Sequence, residues 1–328
     1  MVAAQPVALT ATPGAGECAM TRLNRGYEYR SRVGSEVAGI TLLDYLTERY
    51  PHFSRDDWLE RIRSGSVLLD GKPTRQDVLL KPGQITSWLR PPWVEPEVPL
   101  SFAVLYREAV LLAVAKPAGL PTVPAGGVFL EHTLLRLVRR HFPGVSPLHR
   151  LGRGTSGIVL FARTSEAHAI MSREWRSGAV LKVYRALASG LPECDAFSVE
   201  VPIGLVPHPL LKSIYAASSG GKPARSDVKV LERRAHCALV EVRISTGRPH
   251  QIRVHLAAAG HPLVGDPLYL AGGVPAPDSR ALPGDPGYFL HAGLLGFTHP
   301  DSGEWIEIAC LPPPLLRLQS EPGGPDLY

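Results

Sequence analysis

The chain has 328 residues, longer than one typical domain and suited to two. With 45% apolar and 20% charged residues it can bury a core, which excludes wholesale disorder. Its 35 Lys and Arg against 30 Asp and Glu give a formal charge of +5, mildly basic and far from a histone-like excess. The four cysteines (Cys18, Cys194, Cys237, Cys310) are scattered, which argues against a disulfide scaffold or a zinc ribbon and fits a reducing cytoplasm.

Residues 1–35 mix Ala, Pro, Gly and Thr without a period and read as a flexible tail with no export signal. The longest apolar run, Ala109 to Ala115, is seven residues, far short of a membrane span. Residues 36–90 form a first module. Ile40, Leu42, Leu43 and Leu46 recur at helical spacing, and a second helix fits Arg55 to Ser64, with Ser54 as its cap and Gly65 as its stop. Val67 to Leu69 followed by Asp70-Gly71 reads as a hairpin, and Val78 to Leu80 and Ile85 to Leu89 read as further strands. Four prolines in residues 91–99 mark a stiff linker and a domain boundary.

From 100 to 315 the pattern predicts helices over His132–His141, Glu166–Ser177 (capped by Ser165, ended by Gly178) and Pro249–Ala259. Strands are expected over Ile158–Ala162, Val180–Ser189, Val228–Leu231 and Leu239–Ile244. Strands outnumber helices without regular alternation, which indicates an α+β fold with a mixed, largely antiparallel sheet. Residues 316–328 read as a second tail. Residues 131–190 hold ten basic and three acidic side chains, whereas residues 36–95 hold eight and nine. A polyanion should therefore engage the second domain.

Gly152-Arg153-Gly154-Thr155-Ser156-Gly157 has the glycine spacing of a dinucleotide site. The strand formers Ile158 to Ala162 follow it where a helix is required, so that reading fails. His250 and His255 are five residues apart, on different faces of a helix, which disfavours a metal site. Gly247 to Leu256 is the densest stretch: Arg248, His250, Gln251, Arg253 and His255 surround a helix start, where unpaired N–H groups and arginine forks suit phosphate.

Together, these segments resemble the RluA-type pseudouridine synthase family. The matching stretches, in family order over about 190 residues, begin with Val114 to Leu120, His149-Arg150-Leu151 and Arg153 to Gly157. They continue through Lys182 to Ala186, Gly247 to Leu256, Gly260-His261-Pro262 with Gly265 to Tyr269, and Leu290-His291-Ala292 with His299-Pro300. Residues 36–90 also resemble a small RNA-binding domain shared with a ribosomal small-subunit protein. The resemblance implies isomerisation of uridine to pseudouridine in structured RNA, ribosomal or transfer, by a cytoplasmic monomer without cofactor, metal or membrane. In the family one Asp carries the chemistry, as base or nucleophile. By the same carry-over Tyr184 packs on the target base and Arg253 holds the Asp. Arg150, Arg153, Thr155, Lys116, Arg248, His250 and Gln251 fall at RNA-binding positions, and Tyr184 and Arg253 should meet position 152 across one cleft.

The chain departs from the family at that position. Where the family reads His-Arg-Leu-Asp, this sequence reads His149-Arg150-Leu151-Gly152, and no Asp or Glu occurs from 132 to 165. Two readings stand: an isomerase whose acid comes from elsewhere, with Asp227 and Asp266 nearest by motif and Asp266 in a structural turn, or an RNA-binding protein on the same fold that no longer isomerises uridine.

Overall fold

The computed structural model describes residues 7–10, 23–37, 39–50, 53–124, 127–276 and 279–323. The chain divides into two compact units, Gly16–Glu95 and Pro96–Tyr328 with Met1–Ala15. Most of the expected first tail, including Cys18, lies outside the described residues.

In the smaller unit the helices Leu42–Arg49 and Arg55–Arg63 pack on a four-stranded sheet in the order Tyr27–Arg32, Ile85–Arg90, Val67–Leu69, Lys72–Pro73. Ser54 and Asp57 form a reciprocal capping box, which satisfies two of the orphan donors at the helix start. Asp70 and Gly71 both have positive φ, the backbone a tight two-residue hairpin demands. Leu42, Leu46, Trp58, Ile62 and Trp88 form the core. Residues 23–35, expected in the tail, belong here: Tyr27–Arg32 is a strand, and Tyr29 stacks on Trp88 with ring centroids 5.1 Å apart. The segment lacks apolar periodicity because it is an edge strand held through aromatic faces.

The larger unit is built on an eleven-stranded sheet. Its middle runs Leu111–Lys116, Ser156–Ala162, Leu290–Thr298, Leu181–Ser189, Cys237–Ile244, Ser226–Arg233. Every described pairing is antiparallel except that of Ser156–Ala162 with Leu290–Thr298, which is parallel and joins Ser156 to His291 and Gly157 to Ala292. Gly157 has φ +108°, and a Cβ there would lie 2.3 Å from the Ala292 carbonyl oxygen, so only glycine permits this approach. The helices Leu134–His141 and Gln251–Ala258 cover one face, and Ser165–Ser177 covers the other.

Three predicted helix starts move, the first from His132 to Leu134, capped by Thr133. Thr164, not Ser165, caps the second helix through its side chain, and His250, in the left-handed region at φ 57°, precedes the third. The expected C-terminal tail is tied down as far as 323: Leu316 is buried, and Glu321 accepts two hydrogen bonds from Arg185, at 2.6 and 2.8 Å. A bidentate partner 136 residues away leaves no trace in local composition.

Among the described residues no helix is long and apolar enough to cross a membrane. His149 stacks on Trp175 (centroids 4.5 Å apart) and its Nε2 accepts the Leu160 backbone N–H at 3.1 Å, so the ring is neutral. Burial, with the charge of Lys182 nearby, lowers its pKa to about 3, and burial first of all lowers His250 and His291 to about 4. Between about pH 3 and 6.5 the unfolded chain binds protons that these folded rings refuse. Stability should therefore fall as the pH drops through that window. His149→Phe keeps a ring on Trp175 but forfeits the Leu160 bond, at a cost of about 1–3 kcal/mol at pH 7. Thermal midpoints measured from pH 7 to 4 should decline less steeply in the variant than in the wild type.

Candidate active site

The loop from Leu148 to Thr155 leads into the strand Ser156–Ala162 and is fixed from below. Lys116, 1% exposed, donates its ammonium hydrogens to the carbonyls of Pro117 (2.9 Å), Leu120 (2.7 Å) and Arg153 (3.3 Å). Burial lowers its pKa to about 7. Thr122 Oγ1 donates to the Leu151 carbonyl at 2.9 Å and accepts the Leu151 N–H. The Gly152 carbonyl accepts the Thr155 N–H at 3.1 Å, closing a turn that leaves Gly152 exposed.

Gly152 does not have positive φ, so its backbone does not require glycine. Space does. A Cβ on Gly152 would lie 2.8 Å from the hydroxyl of Tyr288, and one on Gly154 would lie 2.9 Å from Tyr288 Cζ. The two glycines form a slot, and the Tyr288 ring fills it. Its hydroxyl lies 3.3 Å from Thr155 Oγ1.

Behind the ring lies Arg253, with its guanidinium carbon 4.3 Å from the Tyr288 ring centroid and 4.9 Å from that of Tyr269. Arg253 donates to both carboxylate oxygens of Asp266, at 2.6 and 2.7 Å, and to the Pro283 carbonyl at 2.8 Å. Burial opposes its charge most, but the bonds and charge of Asp266 together with the Tyr288 and Tyr269 phenols hold its pKa above the ordinary value. Asp266 Oδ1 also accepts the N–H groups of Leu268 and Tyr269. Arg253 is thus committed to Asp266.

Tyr184 lies on the same sheet face. It pairs with Ala292 on one side and Val242 on the other, and its ring packs against both the Leu151 cluster and the Tyr288 cluster. Burial pushes its hydroxyl up to about 12. Tyr288 meets Gly152 through its hydroxyl and Arg253 through its ring face, and Tyr184 packs against the cluster that holds Tyr288.

Other expected residues behave differently. Arg150 is exposed and makes no hydrogen bond or ion pair among the described residues. Arg153 is committed to the Gly284 carbonyl and lies 3.7 Å from Asp285. Arg248 donates to the Pro223 carbonyl. His250 donates Nδ1–H to the Tyr269 hydroxyl at 2.6 Å, because that hydroxyl gives its one proton to the Tyr215 carbonyl. Three residues expected at RNA contacts are buried. Lys116 is buried with its hydrogens used. Thr155 is 4% exposed and faces Tyr288. Gln251 is 3% exposed and ties Thr246, Arg248 and Ser226 together. Each supports the site from beneath.

The substitute acids fail too. Asp227 neighbours Val228, which is in line with Val242 and Tyr184, so it points to the opposite sheet face, where it pairs with Arg225. Asp266 is 1% exposed at its side chain and spent on Arg253. Tyr288 was not singled out by sequence. Its signal, a tyrosine two residues before Leu290-His291-Ala292, has meaning only beside the glycines 136 and 134 positions earlier. Among the described residues no group of three His, Cys, Asp or Glu could hold a metal ion.

Residues 110–258 match the family described as RNA pseudouridylate synthase. Over 278 residues the chain is 45% identical to an RNA pseudouridine synthase of Synechocystis, covering 84% of this chain and 95% of that one. It is 35% identical to the ribosomal large subunit pseudouridine synthase D of Neisseria meningitidis serogroup B, covering 89% and 82% of the two chains. The solved structure of human RNA pseudouridylate synthase domain containing 1 superposes with a TM-score of 0.53 at 28% identity, over 68% of this chain and 89% of that one. The chain belongs to the RNA pseudouridine synthase family, in its RluA-type branch, and is an isomerase of that class.

The buried pair sets a stability test. Asp266→Ala leaves Arg253 charged and unpaired, at a cost of about 3–5 kcal/mol. Adding Arg253→Met should return part of that loss. Urea unfolding of the single and double variants measures both, and a double variant less stable than Asp266→Ala would refute the pairing energetics.

Proposed function

We propose that this protein isomerises uridine to pseudouridine within structured RNA, ribosomal or transfer, acting as a monomer in the cytoplasm. The observation that carries the reading is the alignment on one sheet face of the Gly152 turn, Tyr184 and the Tyr288–Arg253 stack. A uracil reaches such a floor only when flipped out of its helix, and the half-buried Tyr184 ring offers it a stacking surface. Arg150, exposed and unpaired among the described residues, and the basic excess of residues 131–190 supply the phosphate contacts. The smaller unit serves as a second RNA-holding module through its exposed basic side chains.

Activity is tested by incubating the protein with unmodified transcripts of ribosomal and transfer RNA and mapping pseudouridine by chemical labelling. New pseudouridine at discrete positions is the expected result. Binding with no conversion of any uridine would favour the RNA-binding reading that the absent carboxylate raises. Independently, Arg150→Ala should weaken RNA binding similarly for all sequences and reduce the slope of log affinity against log salt by about one.

A further inference from the structure

We infer that the Tyr288 hydroxyl is the catalytic group of this chain, occupying the station from which the family's Asp acts. The inference rests on the isomerase reading above. Three observations carry it. A side chain at 152 and the hydroxyl of Tyr288 compete for one place, since the hydroxyl stands 2.8 Å from where the missing side chain would begin. Gly152 is exposed, and no side chain on it covers the hydroxyl of Tyr288, a residue that as a whole is 5% exposed. The Arg253 cation lies over the ring face, where it favours negative charge building on the phenol oxygen.

Tyrosine serves as the nucleophile at an anomeric carbon in one class of glycosidases. Here the Tyr288 oxygen attacks C1′ of the uridine. The C1′–N1 bond breaks with its electron pair going to the base, and the phenolic proton passes to that departing base. The ribose is then joined to Tyr288 through an aryl glycoside, with neutral uracil held on Tyr184. After the uracil turns, C5 attacks C1′, and the C1′–O bond breaks with its pair returning to the tyrosine oxygen. The proton lost from C5 goes to that oxygen. The proton gained at N1 balances the one lost from C5, and Tyr288 is regenerated without a co-reactant.

Tyr288→Phe removes one oxygen and keeps the ring on Arg253. On the transcripts that the wild type modifies, turnover should fall on the order of 1,000-fold, with RNA affinity unchanged within about twofold, the span expected when no binding contact is lost. Gly152→Asp alone should lose activity, because the carboxylate meets the hydroxyl. Gly152→Asp with Tyr288→Phe should recover well above Tyr288→Phe, because removing the oxygen frees the station. A Tyr288→Phe enzyme as fast as the wild type overturns the tyrosine assignment and leaves the isomerase reading standing. A double variant no faster than Tyr288→Phe overturns the shared station. A wild type that converts no uridine, beside a double variant that does, overturns both readings.

Discussion

The buried pairing of Arg253 with Asp266 is the contact on which the site depends. It spans a helix and the turn that follows it, and both carboxylate oxygens are engaged. The turn places Tyr269, whose hydroxyl fixes His250 at the helix start. The guanidinium then has two aromatic faces to rest on, Tyr269 and Tyr288. A charge that deep is tolerated because every direction around it is answered: carboxylate, carbonyl and ring. The position of Tyr288 in the glycine slot follows from that support.

The second organising feature is the slot itself. Gly152 and Gly154 are not turn glycines chosen for left-handed backbone, since neither has positive φ. Their role is volume. The loop that carries them is held from beneath by Lys116 and Thr122, so it cannot recede to admit a side chain. Rigidity below and the tyrosine above leave no room for a Cβ at these two positions unless the phenol shifts.

Much of the fold was legible in the residues. Ser54, Gly65 and Asp70-Gly71 are local signals with local causes, and the helices and hairpin they announce are present. The run Ile158–Ala162 lies within a real strand because burial on both faces selects a continuous apolar stretch, and Leu239–Ile244 lies in one whose Glu241 and Arg243 alternate with buried apolar residues. The edge strand Tyr27–Arg32 and the C-terminal anchor Glu321 were not legible, because each is fixed by a partner far along the chain. In the site, Tyr184 and Arg253 came from motif resemblance and lie in a shared setting. Motif matching carries residue type and not burial, so it does not show that Lys116, Thr155 and Gln251 are buried. Tyr288 escaped because steric exclusion between distant residues leaves no periodic mark.

The slot also constrains how this sequence could have come from one bearing the family's Asp. With a side chain at 152 the phenol oxygen cannot take its present place, and with that oxygen in place a side chain at 152 meets it. Only one order of replacement is open in either direction: position 152 must empty before tyrosine arrives, and tyrosine must leave before 152 is refilled. Every passage between the two forms therefore runs through a chain that has neither the carboxylate nor the phenol, a gap in function that makes each form historically sticky.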